Sequence, residues 1–320
     1  MASTLASIDI GTNTFRLLIS DFDDNGTPRP RLLKREITRL GGGFTAHGML
    51  AEESMERGVH TLSAFSELLR EHKVKKVRAV ATSVVREAKN GRDFLDLVKN
   101  NTGLDVEVID GREEASLALK GVLSCVKLKT RYALVFDIGG GSTEYILSDL
   151  ANPLYSESLS LGVVHATETF LRSDPPKDEE IEKVAAHVVE RLSPFLNNLA
   201  KMGLRDKLPP QNRDITLVGT AGTITTLAAM DQGLEAYEPS KINNYVLTYD
   251  TVKRLFNLIY PLTISERSGL RSLEGGREDL IVSGTVIVLK TMESFGFDRM
   301  TVSDGGLLEG VLIDMVESRR

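Results

Sequence analysis

Apolar residues recur along this chain in two patterns, as short continuous runs and as longer stretches of helical spacing. The runs 5–10, 77–82 and 132–137 predict buried strands, and the spacing within 52–72 and 178–202 predicts amphipathic helices. Strands that alternate with helices are typical of proteins whose helices cover a sheet. The pattern therefore predicts an α/β fold.

The same two patterns predict the remaining elements of the chain. Further strands are expected at 15–20, 106–109, 144–148, 154–161, 215–218 and 300–303. Further helices are expected at 94–101, 113–123, 250–258 and 279–295, and from Gly306 to about Val316. Residues 21–30, which include Asn25, Gly26 and two prolines, predict a loop.

An internal repeat predicts the domain organisation. Residues 9–21 read DIGTNTFRLLISD and residues 137–149 read DIGGGSTEYILSD, with five of thirteen positions identical at an offset of 128. Each copy reads as strand, polar glycine-containing turn and strand, and the offset is far longer than the period of a solenoid. We therefore expect two homologous domains, the first at 1–123 completed by the C-terminal helix at 304–320, and the second at 124–303.

Composition narrows the class of protein. The chain has 320 residues, 41% of them hydrophobic and 26% charged, which is ordinary for a globular protein of one large or two medium domains. Its single cysteine, Cys125, excludes an internal disulfide and favours a reducing compartment. The five histidines are scattered and form no cluster with zinc-binding spacing, which disfavours a zinc enzyme.

Charge and hydropathy indicate where the protein is located and which partners it can bind. A net charge of −6 and a pI of about 5.6 give no indication of nucleic-acid binding. No apolar run approaches the roughly 20 residues of a membrane span. The N-terminus has no basic region, and Asp9 and Arg16 interrupt its apolar stretch, so it does not resemble a signal peptide. The expected location is the cytoplasm, without membrane association.

Three glycine- and hydroxyl-rich turns are candidates for binding phosphate. Two follow a strand that ends in an aspartate, Asp9 or Asp137, and the third is 219–223 at the start of a helix. Glycines let backbone N–H groups approach an anion, an aspartate can hold magnesium, and a helix N-terminus favours phosphate. Each turn alone can equally be a plain tight turn, and the duplication argues against that interpretation. Two such loops facing each other would clamp a chain of phosphates and a metal ion.

Two other segments carry candidate chemistry. Glu113 and Glu114 open a predicted helix, where acidic residues complement the helix dipole and where one of them can also activate water. Arg86 follows a predicted strand and is either a surface arginine or a group that neutralises phosphate charge. The residues alone leave these alternatives open.

Several ordered motifs together resemble the exopolyphosphatase/guanosine pentaphosphatase (Ppx/GppA) family of the actin, sugar-kinase and heat-shock chaperone superfamily. The motifs that carry the resemblance are DIGTNTFR at 9–16, ATSVVREA at 81–88, GREEA at 111–115, DIGGGSTE at 137–144, Arg267, RED at 277–279 and SDGGLLEG at 303–310. They extend over almost the whole chain. The resemblance implies two ribonuclease-H-like domains of actin-like ATPase fold, an active-site cleft between them, and magnesium-dependent hydrolysis of a terminal phosphate.

The resemblance also assigns roles to residues. Glu114 matches the catalytic base, and Asp137 and Glu144 match the acidic, metal-associated positions. Asn13, Arg16 and Arg86 match polar contacts on the opposite wall. Arg86 is also a candidate catalytic residue, and Asp9 is a further candidate metal ligand. Candidate phosphate-binding residues are Asn13, Thr14, Arg16, Gly139, Gly140, Gly141, Ser142, Gly222 and Thr223.

The chain departs from the family pattern at two points. Leu308 stands where many members have an arginine, and the chain resembles the short two-domain members rather than those with C-terminal helical domains. The leading hypothesis is an exopolyphosphatase that releases orthophosphate from polyphosphate ends. A guanosine pentaphosphate 5′-phosphohydrolase, a sugar or acetate kinase of the same superfamily, and a non-catalytic nucleotide-binding actin-like protein are the alternatives. Because dimerisation is common in the family, a homodimer is one expected assembly.

Overall fold

The computed structural model describes residues 3–23 and 28–318. Within these residues the chain forms eleven strands and thirteen α-helices. It divides into two compact units, unit 1 with Met1–Gly121 and Gly306–Arg320, and unit 2 with Val122–Gly305. No helix of the described residues is both long enough and apolar enough to cross a membrane.

Unit 1 contains one five-stranded sheet. Its strands are β1 (Ser3–Ile10), β2 (Thr14–Phe22), β3 (Pro28–Ile37), β4 (Lys76–Ala81) and β5 (Val106–Val108). Its helices are α1 (Phe44–His47), α2 (Glu52–Glu71), α3 (Ser83–Glu87), α4 (Gly91–Thr102), α5 (Gly111–Cys125), which continues past the end of the unit, and α13 (Leu307–Glu317).

The sheet of unit 1 has the strand order β3-β2-β1-β4-β5. The first three strands are antiparallel, while β4 and β5 run parallel to β1. An apolar core lies on each face, because successive residues of a strand point to opposite sides. Phe15, Phe65 and Phe94 belong to one core, and Leu18 and Val311 to the other, which α13 covers.

Unit 2 contains a six-stranded sheet and the remaining helices. Its strands are β6 (Tyr132–Ile138), β7 (Thr143–Ser148), β8 (Pro153–Leu159), β9 (Ile215–Thr220), β10 (Val246–Thr248) and β11 (Arg299–Val302). Its helices are α6 (Val163–Phe170), α7 (Asp178–Lys201), α8 (Gly222–Asp231), α9 (Pro239–Ile242), α10 (Tyr249–Ile259), α11 (Ile264–Arg267) and α12 (Ile281–Phe295), with a 3₁₀ turn at Arg205–Lys207.

The sheet of unit 2 repeats the plan of the first. Its order is β10-β11-β9-β6-β7-β8, in which β6, β7 and β8 are antiparallel and β9 runs parallel to β6. Tyr145, Phe195 and Phe295 pack against one another in its core, with ring centroids 5.7–5.8 Å apart. Both sheets therefore have the ribonuclease-H-like arrangement that the resemblance implies, and the predicted α/β class is confirmed.

The predicted loop at 21–30 is partly wrong. Residues 21 and 22 belong to β2, and β3 already begins at Pro28. Pro30 is tolerated because β3 is the edge strand of its sheet, where a missing N–H does not break an inner row of hydrogen bonds. Asn25 and Gly26 lie outside the described residues. The sequence pattern also missed β3 as a whole, because most of its side chains are exposed.

Candidate functional site

The hairpin of β1 and β2 holds an ion pair next to its turn. Asp9 and Arg16 lie directly opposite each other in the two strands, so their side chains share one face of the sheet. Arg16 donates from Nε and Nη2 to Asp9 Oδ2 at 2.8 and 2.6 Å. Asp9 is 5% exposed, and the guanidinium compensates its charge. The predicted metal ligand Asp9 is thus engaged by a cation of the protein itself.

The turn of this hairpin is held by the segment that follows β3. The carbonyl oxygen of Asn13 accepts hydrogen bonds from the N–H groups of Thr38 and Arg39 at 3.0 and 2.9 Å. The Asn13 amide donates to the hydroxyl of Thr14 at 3.4 Å, and Asn13 is buried. Asn13, Thr14 and Arg16, all candidate phosphate-binding residues, therefore lie together at one end of the sheet of unit 1.

The hairpin of β6 and β7 has the same register but a different pair. Asp137 lies opposite Glu144, so two carboxylates share one face where the first hairpin has a carboxylate and a guanidinium. Glu144 is 3% exposed, and its Oε1 accepts hydrogen bonds from the hydroxyls of Ser142 and Ser158 at 2.8 and 2.7 Å. These two hydroxyl donors orient the carboxylate.

The backbone of the second turn is fixed by the helix that follows β8. The N–H groups of Val163 and Val164 donate to the carbonyl oxygens of Gly139 and Gly140 at 3.1 and 2.9 Å. Gly139 in turn donates its N–H to the carbonyl oxygen of Ser142 at 2.9 Å. Gly139, Gly140 and Gly141 are partly exposed. The four predicted phosphate-loop residues thus form one ordered turn beside Asp137 and Glu144.

The start of α5 presents Glu114 to Arg86. Asp110 caps the helix, because its Oδ1 accepts from the N–H groups of Glu113 and Arg112 at 2.9 Å each, and these bonds lower the pKa of Asp110. Glu114 is 7% exposed, and its Oε2 lies 3.3 Å from Arg86 Nη1. The same nitrogen donates to the carbonyl oxygen of Ile109 at 2.8 Å.

The third loop is built differently from the two hairpin turns. Ala221 has φ 74° and ψ 178°, a strained backbone conformation for a residue with a side chain. Gly222 lies under the guanidinium of Arg277, because a Cβ there would fall 1.9 Å from Nη1. Thr223 is 5% exposed, and its Oγ1 would be 2.5 Å from a Cβ on Gly284 in α12. The hydroxyl of Thr223 therefore packs inside unit 2, and the backbone N–H groups of the first turn of α8 are the better anion donors.

Asp137 and Glu144 fit a magnesium ion. Carboxylate oxygens are the hard ligands that magnesium prefers, and it commonly uses one or two of them together with waters and phosphate oxygens. The described part of the chain has no group of three or more His, Cys, Asp or Glu side chains that could hold a metal. Two protein carboxylates completed by substrate oxygens suit this donor set.

Comparison with known proteins places the chain in a family. The model of the Ppx/GppA phosphatase family matches residues 22–319. The chain belongs to the Ppx/GppA phosphatase family. It is 34% identical to "Exopolyphosphatase 2" of Mycobacterium tuberculosis over 97% of this chain and 98% of the relative. It is 30% identical to the "Guanosine-5'-triphosphate,3'-diphosphate pyrophosphatase" of Vibrio parahaemolyticus, over 98% of this chain but 60% of that relative.

A solved structure supports the same assignment. The chain superposes on an exopolyphosphatase from Cytophaga hutchinsonii with a TM-score of 0.89 and 30% identity, over 99% of this chain and 98% of that one. As a member of the Ppx/GppA family, the protein is a phosphoanhydride hydrolase. The predicted family, fold class and enzyme class are confirmed.

Within the family pattern, the structure brings the candidate residues together in separate groups. Unit 1 holds Glu114 with Arg86, and separately Asp9 with Arg16 at the first hairpin. Unit 2 holds Asp137 and Glu144 at the second hairpin. Leu308 belongs to α13 and points into the apolar core that this helix covers in unit 1.

Two residues contact the candidate groups in ways that the sequence did not predict. Ser158 hydrogen-bonds Glu144 because it is the cross-strand partner of Glu144 in β8. Arg277 covers Gly222 although 55 positions separate them in the chain. The motif at 277–279 marked Arg277 without giving it a contact, and no local pattern marks Ser158, because only the strand register brings it to Glu144.

Proposed function

We propose that this protein is a magnesium-dependent exopolyphosphatase that releases orthophosphate from the ends of polyphosphate. The observation that carries the proposal is the second hairpin, where Asp137 and Glu144 share one face beside a glycine turn. Glu114 is the proposed base, and Arg86 is its neighbouring cation. The acidic pair and the glycine turn are the proposed metal and phosphate ligands.

Glu114 acts as the general base in this proposal. Its carboxylate accepts a proton from the attacking water, and burial to 7% exposure keeps bulk water from competing for it. Arg86, at 3.3 Å, holds the carboxylate in one direction and can also neutralise phosphate charge. Hydrolysis of a phosphoanhydride needs little more from a protein than this positioning and charge compensation.

The acidic pair and the turn hold the phosphate end of the substrate. Residues 139–141 are glycines, so no side chain keeps their backbone from approaching phosphate oxygens. A magnesium ion bound by Asp137 and Glu144 would neutralise charge that develops on the phosphate oxygens. Ser142 and Ser158 keep Glu144 oriented for this task through hydrogen bonds of 2.8 and 2.7 Å.

The preference for polyphosphate rests on the extent of similarity. The chain is 34% identical to the Mycobacterium tuberculosis exopolyphosphatase and 30% identical to the Vibrio parahaemolyticus guanosine-5'-triphosphate,3'-diphosphate pyrophosphatase. A guanosine pentaphosphate 5′-phosphohydrolase is the second candidate, because that relative is still 30% identical. A non-catalytic nucleotide-binding role is the remaining alternative and predicts binding without turnover.

Substrate choice is tested by measuring phosphate release from long polyphosphate, triphosphate and guanosine pentaphosphate, each with and without magnesium. We expect release from polyphosphate to be the fastest and to require magnesium. Faster release from guanosine pentaphosphate would favour the second candidate. Binding of any of these compounds without release would favour the non-catalytic role.

The base is tested by the substitution Glu114→Gln, with Glu113→Gln as the matched control. Glutamine keeps the shape and the hydrogen bonds but cannot accept the proton, so turnover is expected to fall roughly 10²–10⁴-fold. Affinity for polyphosphate should be kept or improved, because one negative charge leaves a site that binds a polyanion. Glu113→Gln should lose far less. Near-normal turnover of the Glu114 variant, or an inactive Glu113 variant, contradicts the assignment.

A further inference from the structure

Arg78 of β4 connects three elements of unit 1 through three carboxylates. Its Nε donates to Glu107 Oε2 of β5 at 3.0 Å, and its Nη1 donates to Asp314 Oδ2 of α13 at 3.0 Å. Its Nη2 donates to Glu113 Oε1 in the first turn of α5 at 2.6 Å. The side chain of Arg78 is 20% exposed, so these bonds are partly shielded from water.

Glu113 is the immediate neighbour of the proposed base. Consecutive residues of a helix point about 100° apart, so Glu113 and Glu114 cannot aim at the same partner. Glu113 meets Arg78 at 2.6 Å, and Glu114 meets Arg86 at 3.3 Å. Two arginines therefore hold the first turn of α5 in two different directions.

The first turn of a helix needs such support. Its N–H groups have no carbonyl partner one turn earlier, and the backbone frays readily at this end. In α5 the cap by Asp110 fixes the backbone, and the contact between Arg78 and Glu113 adds a constraint on rotation about the helix axis.

We propose that Arg78 is a positioning residue for Glu114. By holding Glu113 it fixes the rotation of the first turn of α5, and this rotation sets the direction in which the Glu114 carboxylate points. The inference rests on the proposed function in so far as it takes Glu114 to be the base.

An arginine suits this task better than a lysine. The guanidinium presents its donors in a rigid planar fork, so three acceptors can be bound at once in defined directions. Burial works against the charge of Arg78, and the hydrogen bonds to Glu107 and Glu113 raise the pKa of its guanidinium above the usual value. The cation is therefore maintained at any pH at which the enzyme works. Arg78→Lys would keep the charge and lose the fork.

Lys120 provides a matched control within the same network. Its Nζ donates to Asp314 Oδ1 and to Glu317 Oε2 of α13, both at 2.7 Å. Lys120 shares Asp314 with Arg78, but it extends from a later turn of α5 than Glu113. Loss of Lys120 thus removes one cation from the network without removing the constraint on the first turn.

The experiment compares Arg78→Met with Lys120→Met, each alone and combined with Glu114→Gln, by steady-state phosphate release from polyphosphate. We expect Arg78→Met to lower kcat about tenfold and KM less than about twofold, because misplacement of a reacting group costs rate rather than binding. Lys120→Met should change kcat less than about twofold. In the Glu114→Gln background, Arg78→Met should lower the residual kcat less than about twofold, since a residue that acts through Glu114 has no further effect once the base is gone.

The outcomes distinguish failure of the inference about Arg78 from failure of the proposed function. An equal loss from Arg78→Met in both backgrounds overturns the inference, because the effect would then not pass through Glu114. Normal kcat in Arg78→Met together with an inactive Glu114→Gln variant overturns the inference and leaves the proposed function intact. Near-normal turnover of Glu114→Gln overturns both.

A second variant covers the case in which Arg78→Met does not fold. Glu113→Ala removes the same contact from a side chain that is 41% exposed, and it leaves Arg78 with Glu107 and Asp314. We expect kcat to fall about threefold, with less than a twofold further effect in the Glu114→Gln background. A Glu113→Ala variant with unchanged kcat overturns the inference.

Discussion

The two hairpins of this protein share one backbone plan and carry opposite electrostatics. In both, the strand ends in Asp-Ile and a glycine follows it. The N–H of this glycine donates to a carbonyl oxygen three residues later, Gly11 to Thr14 at 3.2 Å and Gly139 to Ser142 at 2.9 Å. The residue opposite the aspartate is an arginine in the first copy and a glutamate in the second. The residue at one equivalent position thus decides whether the aspartate faces a guanidinium or a second carboxylate.

This difference shows how two copies of one hairpin can take different roles. The pair of Asp9 and Arg16 is complete within the protein, because the guanidinium binds the carboxylate at 2.6 Å. Asp137 and Glu144 bring two carboxylates to one face of the sheet, and this donor set suits a divalent cation. In the proposed function, the second hairpin is the one that holds the metal ion.

The largest expected effect comes from the acidic hairpin. Asp137→Asn removes one of the two proposed ligands, and magnesium-dependent phosphate release should fall about 100-fold, equivalent to about 3 kcal/mol in the barrier. Asp137 is partly exposed at a strand end, so the thermal unfolding midpoint should change little. Phosphate release across a magnesium titration checks this. Unchanged magnesium dependence would mean that the second hairpin, like the first, does not hold the metal ion.

The next largest effect is expected when the ion pair of the first hairpin is broken. Arg16→Met leaves Asp9 buried at 5% exposure without the cation, which should lower the free energy of unfolding by about 2 kcal/mol. Denaturant unfolding measures this value. The double variant Asp9→Asn with Arg16→Met is the control, because it removes both charges and should recover part of the stability. An equally unstable double variant would show that the charge of Asp9 is not the cause.

A smaller effect sharpens the role of the second carboxylate. Glu144→Gln keeps an oxygen that accepts from Ser142 and Ser158 but loses the negative charge, so the magnesium concentration for half-maximal turnover should rise about tenfold. Ser158→Ala is the matched comparison, because it removes one orienting bond and keeps the charge. Its smaller shift in the same titration would separate charge from orientation. An equal shift for both would mean that orientation alone matters.

The smallest effect tests the shared backbone plan. A Cβ at Gly11 would lie 2.9 Å from the carbonyl oxygen of Thr14, and one at Gly139 would lie 3.0 Å from that of Ser142. Gly11→Ala and Gly139→Ala should each lower the free energy of unfolding by about 1 kcal/mol, because the turn must shift by a few tenths of an ångström. Similar losses in denaturant unfolding would confirm the equivalence. A loss at only one position would show that the turns differ in their freedom to adjust.

Local patterns in the sequence determined the parts of the fold that depend on burial and periodicity. The apolar run ending at Asp137 predicted β6, and the amphipathic stretch from 178 predicted α7. Buried strands and amphipathic helices have these hydrophobic patterns in any protein. The repeat at 9–21 and 137–149 predicted two similar sheets, because a shared sequence folds into a shared hairpin.

Tertiary structure decided what depends on pairing between distant segments. β3 lacks a distinctive pattern because it is an exposed edge strand, and it exists through its hydrogen bonds to β2. Glu144 meets Ser158 because the register of β7 and β8 places them opposite each other. Arg78 meets Asp314 because α13 returns to unit 1 after the whole of unit 2.

The same division holds for the candidate site. The sequence by itself identified which residue types stand at each turn, and the family motifs pointed to Glu114, Asp137 and Glu144. Only the folded chain decided that Asp9 is already bound by Arg16. A linear sequence contains the chemistry of each side chain, whereas the partner that satisfies its charge is chosen by strand register and helix packing.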